Sequence, residues 1–118
     1  WIFSWAVLGC SPVGLIGLNM GVDGNTPIEK TAHYSQVLNH FNNEKSKVSK
    51  RYRKVFNKEY GTETLLDPVF DFYREAFLDL VVRTPRWTRT VNATEGGSLF
   101  GKRIENMKFT DFLTLVNS

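Results

Sequence analysis

The run Asn92-Ala93-Thr94-Glu95-Gly96-Gly97 joins side-chain oxygens to a pair of glycines, a mixture suited to holding a nucleotide. Glycine lacks a Cβ, so its backbone can approach a phosphate or a ring closely and present N–H donors. Thr94 and Glu95 add oxygens for a ribose hydroxyl or an amine. The competing reading is a plain turn after a strand. A second constellation, Gly14-Leu15-Ile16-Gly17-Leu18-Asn19-Met20-Gly21, opens into a polar loop carrying Asp23 and Asn25. It lacks the glycine spacing and immediate helix of a dinucleotide fingerprint. Gly17, Asn19 and Met20 are its candidate ligand-facing residues. Against that reading, Gly17 could serve close packing within a strand, and loop Asn and Asp commonly bond their own backbone.

The remaining chemistry-bearing residues are sparse. His33 and His40 stand two turns apart on one expected helix, too far to share a metal, and the single Cys10 has neither a disulfide nor a metal partner. No metal site, phosphate-binding P-loop or nucleophile elbow is spelled anywhere. Asn92-Ala93-Thr94 matches a glycosylation sequon, which matters only in a secreted chain. Lys50-Arg51-Tyr52-Arg53-Lys54 is the densest basic segment, and it offers a face for an acidic polymer. The preferred reading of that segment is a solvated helix or loop face over an apolar stripe of Val48, Tyr52, Val55 and Phe56.

These residues need a framework. Trp1, Trp5 and Leu8 fall on one helical face that Gly9 stops, and Val13 to Leu18 forms a continuously apolar run suited to a strand buried on both sides. Asn19 to Thr26 is a loop. Pro27 starts a helix ending near Asn42 or Asn43, and the basic stretch to Tyr60 is expected to be helical as well, closed by Gly61. Asp67-Pro68 is an N-cap followed by proline in the first turn of a strongly apolar helix, and Pro85 ends that element. Trp87 to Val91 is an expected strand delivering the chain into Asn92, Ser98 to Gly101 a short extended piece, and Phe109, Phe112, Leu113 and Val116 the stripe of a last helix. Strands alternating with helices predict an α/β, three-layer, Rossmann-like arrangement with a small, mainly parallel sheet flanked by helices.

Composition sets the outer bounds. With 118 residues, 42% hydrophobic and 14% aromatic, the chain can bury one core. A net charge of +3 is mild and makes nucleic acid an unlikely class of partner. The apolar opening is broken by Gly9, Ser11 and Pro12, short of the roughly 20 residues that a membrane-spanning helix requires, and no basic lead-in marks a signal peptide. A single cysteine fits a reducing compartment, so cytoplasm is the expected location. Because the chain opens inside an apolar element, residues 1–118 read as one domain that is the C-terminal portion of a larger one truncated at its N-terminus. An aromatic face of Trp1, Phe3 and Trp5 would then seek a partner, and self-association is expected.

Taken together, the strand ending Ile16-Gly17-Leu18-Asn19-Met20, the His33-Tyr34 helix and the later Asn92-Ala93-Thr94-Glu95-Gly96-Gly97 run resemble the Maf-type (motility-associated factor) glycosyltransferase and 6-hydroxymethylpterin pyrophosphokinase-like superfamily. In that family one strand ends in Gly-x-Asp and a later one in Asn-Ala-Thr-Glu-Gly-Gly. Here Asn19 replaces the aspartate, which removes a charge and places metal coordination or general-base work there in doubt. The resemblance implies a nucleotide- or nucleotide-sugar-dependent transferase domain that binds an activated donor through Gly17, Asn19, Met20, Asn92, Thr94, Glu95, Gly96 and Gly97. It implies equally a pyrophosphokinase acting on a pterin alcohol, for which Mg²⁺ would accompany the nucleoside triphosphate. The alternative from another class is a non-enzymatic module binding an acidic polymer through residues 50–54. A lone fragment of such a domain is expected to be inactive.

Overall fold

Asp67 and Pro68 set the longest element. In the computed structural model, which describes residues 1–118, the Asp67 carboxylate accepts the Phe70 N–H at 2.8 Å, and proline's missing N–H costs nothing at the first helical position. Helix α3 follows from Pro68 to Val82 and ends ahead of Pro85. The other helices are short: α1 (Tyr34–His40) after a 3₁₀ turn at Ile28–Lys30, α2 (Lys45–Ser49) and α4 (Phe109–Val116). At the N-terminus, Phe3–Val7 winds as a π-helix.

The strands form two sheets. β1 (Val13–Leu15), β5 (Thr90–Asn92) and β6 (Ile104–Asn106) make a three-stranded parallel sheet with β5 in the centre. β2 (Val22–Asp23), β4 (Thr62–Leu66) and β3 (Arg53–Asn57) make a second, antiparallel sheet with β4 in the centre. The small parallel sheet flanked by helices is the one anticipated. The antiparallel sheet corrects the expectation that the strands would be mainly parallel, and it arises from two segments read otherwise.

The first is the basic stretch, where only Lys45–Ser49 is helical and Arg53–Asn57 extends instead. Val48 and Tyr52, four apart, satisfy a helical period, yet they also suit the end of one helix and the start of a strand. β-branched Thr62 and Thr64 on β4 need a pairing partner, and β3 provides it through a turn in which Glu59 N–H bonds the Asn57 side chain at 3.1 Å. The second is Asn19 to Thr26, where two residues suffice to add β2 to the free side of β4. Two smaller boundaries also move. β1 stops at Leu15, leaving Ile16 59% exposed, and the extended segment past Ser98 is replaced by β6 further on. Ser98 and Leu99 cannot serve a ladder fully because their carbonyls accept from the Arg74 and Asn92 side chains.

The core is divided accordingly. Val37, Val48, Tyr52 and Leu65 cluster beneath the antiparallel sheet, with Ile28, Leu38 and Phe41 packed against them. Leu66, Val81, Val91 and Leu99 are fully buried. The radius of gyration, 16.2 Å, exceeds the roughly 13.5 Å of a compact domain this long. At the N-terminus, Trp1 and Trp5 are partly used internally: Trp1 donates to Thr90 Oγ1 at 3.0 Å and packs on Phe77, and Trp5 packs edge-on against Trp87. Phe3, Val7 and Leu8 face outward. No helix is long and apolar enough to cross a membrane.

One ion pair makes part of this stability pH-dependent. Arg89 grips Glu105 with two hydrogen bonds of 2.9 and 2.7 Å, and these hold the Glu105 carboxyl below its usual range. A carboxyl depressed in the folded state stabilises above its unfolded pKa, and that contribution is lost as pH falls through the folded value. Both partners are more than one-third exposed, so the expected contribution is only about 0.5 kcal/mol. Urea denaturation at pH 7 and pH 3 is expected to show the unaltered chain losing about that much more stability than Glu105→Gln.

Candidate functional site

The carboxyl ends of β1 and β5 lie side by side, because Leu15 pairs with Asn92 in the parallel register. The two sequence constellations therefore leave the sheet together. Asn92 is completely buried, and its amide fixes the turn: Nδ2 donates to the Leu99 carbonyl at 2.9 Å and Oδ1 accepts the Thr94 N–H at 3.0 Å. Thr94 Oγ1 accepts the Leu18 N–H at 3.2 Å, joining the two loops. Gly17 lies beyond the end of β1 at φ +71° with open space about it, so it serves a left-handed turn and not packing within a strand.

Gly97 is where the loops touch most closely. At φ +81°, a Cβ on it would fall 2.9 Å from both the Cα and the carbonyl oxygen of Asn19. Ser98 completes the joint, with its N–H on the Asn19 carbonyl at 3.0 Å and its hydroxyl on the Asn19 and Met20 carbonyls at 3.1 and 2.8 Å. Arg74, reaching from α3, donates Nε–H to the Ser98 carbonyl at 2.6 Å. Sequence reasoning missed Arg74, since nothing in an apolar helix marks one arginine as inward-facing.

The result is a crevice of about 260 Å³ bordered by Asn19, Asp23, Glu63, Glu95, Gly96 and Gly97. Of the eight candidate residues, Asn19, Glu95, Gly96 and Gly97 border it. Asn92 and Thr94 hold its floor by internal bonds, while Gly17 and Met20 shape the adjoining loop. Asp23 and Glu63 enter from β2 and β4, so the unexpected antiparallel sheet supplies one wall. The N–H groups of Glu95, Gly96 and Gly97 donate to no group within the chain.

Electrostatically the crevice is acidic. Three carboxylates border it and no basic side chain does; Lys54 only approaches Glu63, at 3.6 Å. Burial and then the charge on Glu95 push the nearby Tyr60 phenol above its ordinary pKa. Glu95 also turns towards the start of α4, where its Oε2 lies at a long 3.4 Å from the Phe109 N–H, as the positive end of a helix favours. Carboxylates of this kind accept hydrogen bonds from hydroxyls and amines. A phosphate would be met by the backbone N–H groups at Glu95 to Gly97. No three His, Cys, Asp or Glu side chains converge to hold a metal ion by themselves, so a divalent ion here would need phosphate oxygens or waters beside one or two of the carboxylates.

Other sequence candidates lie elsewhere. His33 Nδ1 is 2.6 Å from the Asp67 carboxylate, which also caps α3, so this histidine is held as a structural partner and not at the crevice. The basic stretch of residues 50–54 is paired in part. Arg53 makes a bidentate pair with Asp71 and reaches Glu75, which raises its pKa further; Lys54 faces Glu63; and Arg51 lies over the Phe41 ring at 5.3 Å. With Arg53 and Lys54 on strand β3 and not on a helix, the four cations do not share one helical face. No family model, curated protein or solved structure matches the chain.

Proposed function

We propose that this chain is the donor-binding part of a nucleotide- or nucleotide-sugar-dependent transferase. The observation that carries the reading is the meeting of the Gly17–Met20 loop with the Asn92–Gly97 turn outside the carboxyl ends of parallel strands, where open α/β sheets bind ligands. In this reading the unpaired N–H groups of Glu95, Gly96 and Gly97 receive the phosphate. Asp23, Glu63 and Glu95 accept from hydroxyls of the ribose or the transferred sugar, and Asn19 supplies an uncharged partner beside them. Three carboxylates at one wall suit a hydroxyl-rich transferred group, because each can accept hydrogen bonds from its hydroxyls.

Calorimetric titration with CTP, a CMP-sugar, ATP and a pterin alcohol tests this. Saturable binding of the CMP-sugar is expected, weakened about fivefold or more in Glu95→Gln. That substitution keeps an oxygen for the Phe109 N–H, so the fold should be retained. Absence of binding by all four compounds would overturn the proposal.

A further inference from the structure

A second cavity, of about 380 Å³, lies where edge strand β3 of one sheet meets edge strand β6 of the other. Phe56, Phe100 and Ile104 supply its apolar lining, Asn57 and Asn106 its amides, and Lys58 and Glu59 border it from the turn after β3. Its size falls within the usual range for small-ligand sites, and apolar rings beside a few polar groups are their usual chemistry. Two rings and one unpartnered acceptor meet here. Phe56 leaves a large ring 54% exposed on a strand edge. Phe100 borders the same space while its ring also carries the Arg74 guanidinium at 5.1 Å. Asn106 Oδ1 is shielded from solvent and meets no hydrogen-bond partner within the chain. An acceptor buried in this way costs stability until a donor reaches it.

The geometry points to a subsite for a nucleobase, stacked against Phe56 and Phe100 and read by the Asn106 amide. The amide places an acceptor beside a donor, so its complement is a ring edge with an exocyclic amine next to a ring nitrogen, as in adenine or cytosine. The terminal torsion of asparagine is broad, which lets the amide turn into the cavity when such an edge arrives. Asn57 stands between this space and the Gly97 turn: it is fully buried, borders the cavity, and its Nδ2 faces the Gly97 carbonyl at 3.4 Å. A base here would therefore sit behind the turn assigned to the phosphate. The assignment of a base, as opposed to another planar ring, rests on the nucleotide reading above.

Equilibrium titration of the full chain with adenosine and cytidine, each beside its riboside analogue lacking the exocyclic amine, tests the subsite without any phosphate. At least one of the two nucleosides is expected to bind saturably, with its amine-free analogue roughly tenfold weaker. Asn106→Leu should cost a similar factor. Phe56→Ala, at a half-exposed position, should weaken binding roughly five- to tenfold by loss of stacking. Failure of both nucleosides to bind, or unchanged affinity in both variants, would overturn the subsite. The two proposals separate cleanly: CMP-sugar binding that is weakened by Glu95→Gln but unaffected by Asn106→Leu and Phe56→Ala removes the base subsite and leaves the crevice standing.

Discussion

Gly97→Ala is expected to destabilise the chain by about 3 kcal/mol, as the sum of two costs that fall on one atom. The backbone at φ +81° lies where a side chain adds strain, and the added Cβ would press within 2.9 Å of the Asn19 Cα and carbonyl oxygen. Those are backbone atoms, so no rotamer change relieves the contact. The loop must move, and with it the carbonyls that Ser98 bonds through both its N–H and its hydroxyl. Gly96→Ala is the control. It shares a positive φ, +148°, but its nearest neighbour would be Thr62 Oγ1 at 3.7 Å, ordinary contact distance. Strain alone should then cost about 1–2 kcal/mol. Urea denaturation of the two variants separates the terms, and equal losses would show that the approach of Asn19 contributes nothing.

The same contacts divide the Asn92–Gly97 run into two parts. Asn92, Thr94 and Gly97 each have a complete internal reason for their identity: a buried amide closing a turn, a hydroxyl receiving the Leu18 N–H, and a backbone that admits no Cβ. Glu95 has much less, and Gly96 has only its positive φ. Glu95 makes one long contact to Phe109, and Gly96 lines the crevice with no close neighbour. A resemblance based on all six residues therefore mixes those that build the turn with those left to meet a ligand. Ligand experiments are most informative at Glu95 and Gly96.

What could be read from the sequence follows the range of the forces involved. Asp67-Pro68 announces the start of α3 because capping is decided within four residues, and Phe70 N–H confirms the cap. The strand into Asn92 was legible from Trp87 to Val91 by aromatic and β-branched content, although the paired strand runs only from Thr90 to Asn92. The antiparallel sheet was not legible. Val22 and Asp23 carry no period of their own and become a strand only because Leu65 and Thr64 lie opposite. Arg53 and Lys54 look like a solvated cationic face until Asp71, Glu75 and Glu63 arrive from later in the chain. One wall of the crevice, Asp23 and Glu63, depended on that long-range pairing, so the acidic character of the site was hidden as well.

Arg74 is the residue whose loss should matter most among those the sequence did not single out. Its guanidinium is almost fully buried, and burial pushes its pKa below the ordinary arginine value, though arginine remains charged throughout the accessible range. One donor is on the Ser98 carbonyl at 2.6 Å, another on Glu75 at 3.0 Å, and the ring of Phe100 lies beneath it. Glu75 is 59% exposed and keeps its bond to Arg53 when Arg74 is removed, so no buried charge is stranded. The cost comes instead from an unsatisfied Ser98 carbonyl and from lost packing of the side-chain stem. Arg74→Ala is expected to lose about 3 kcal/mol, and Arg74→Met, which keeps the stem, about 1–2 kcal/mol. Because a shielded hydrogen bond is hardly screened, both differences from the unaltered chain should persist at 1 M salt. A difference that disappears there would instead place the contribution of Arg74 in its exposed pairing with Glu75.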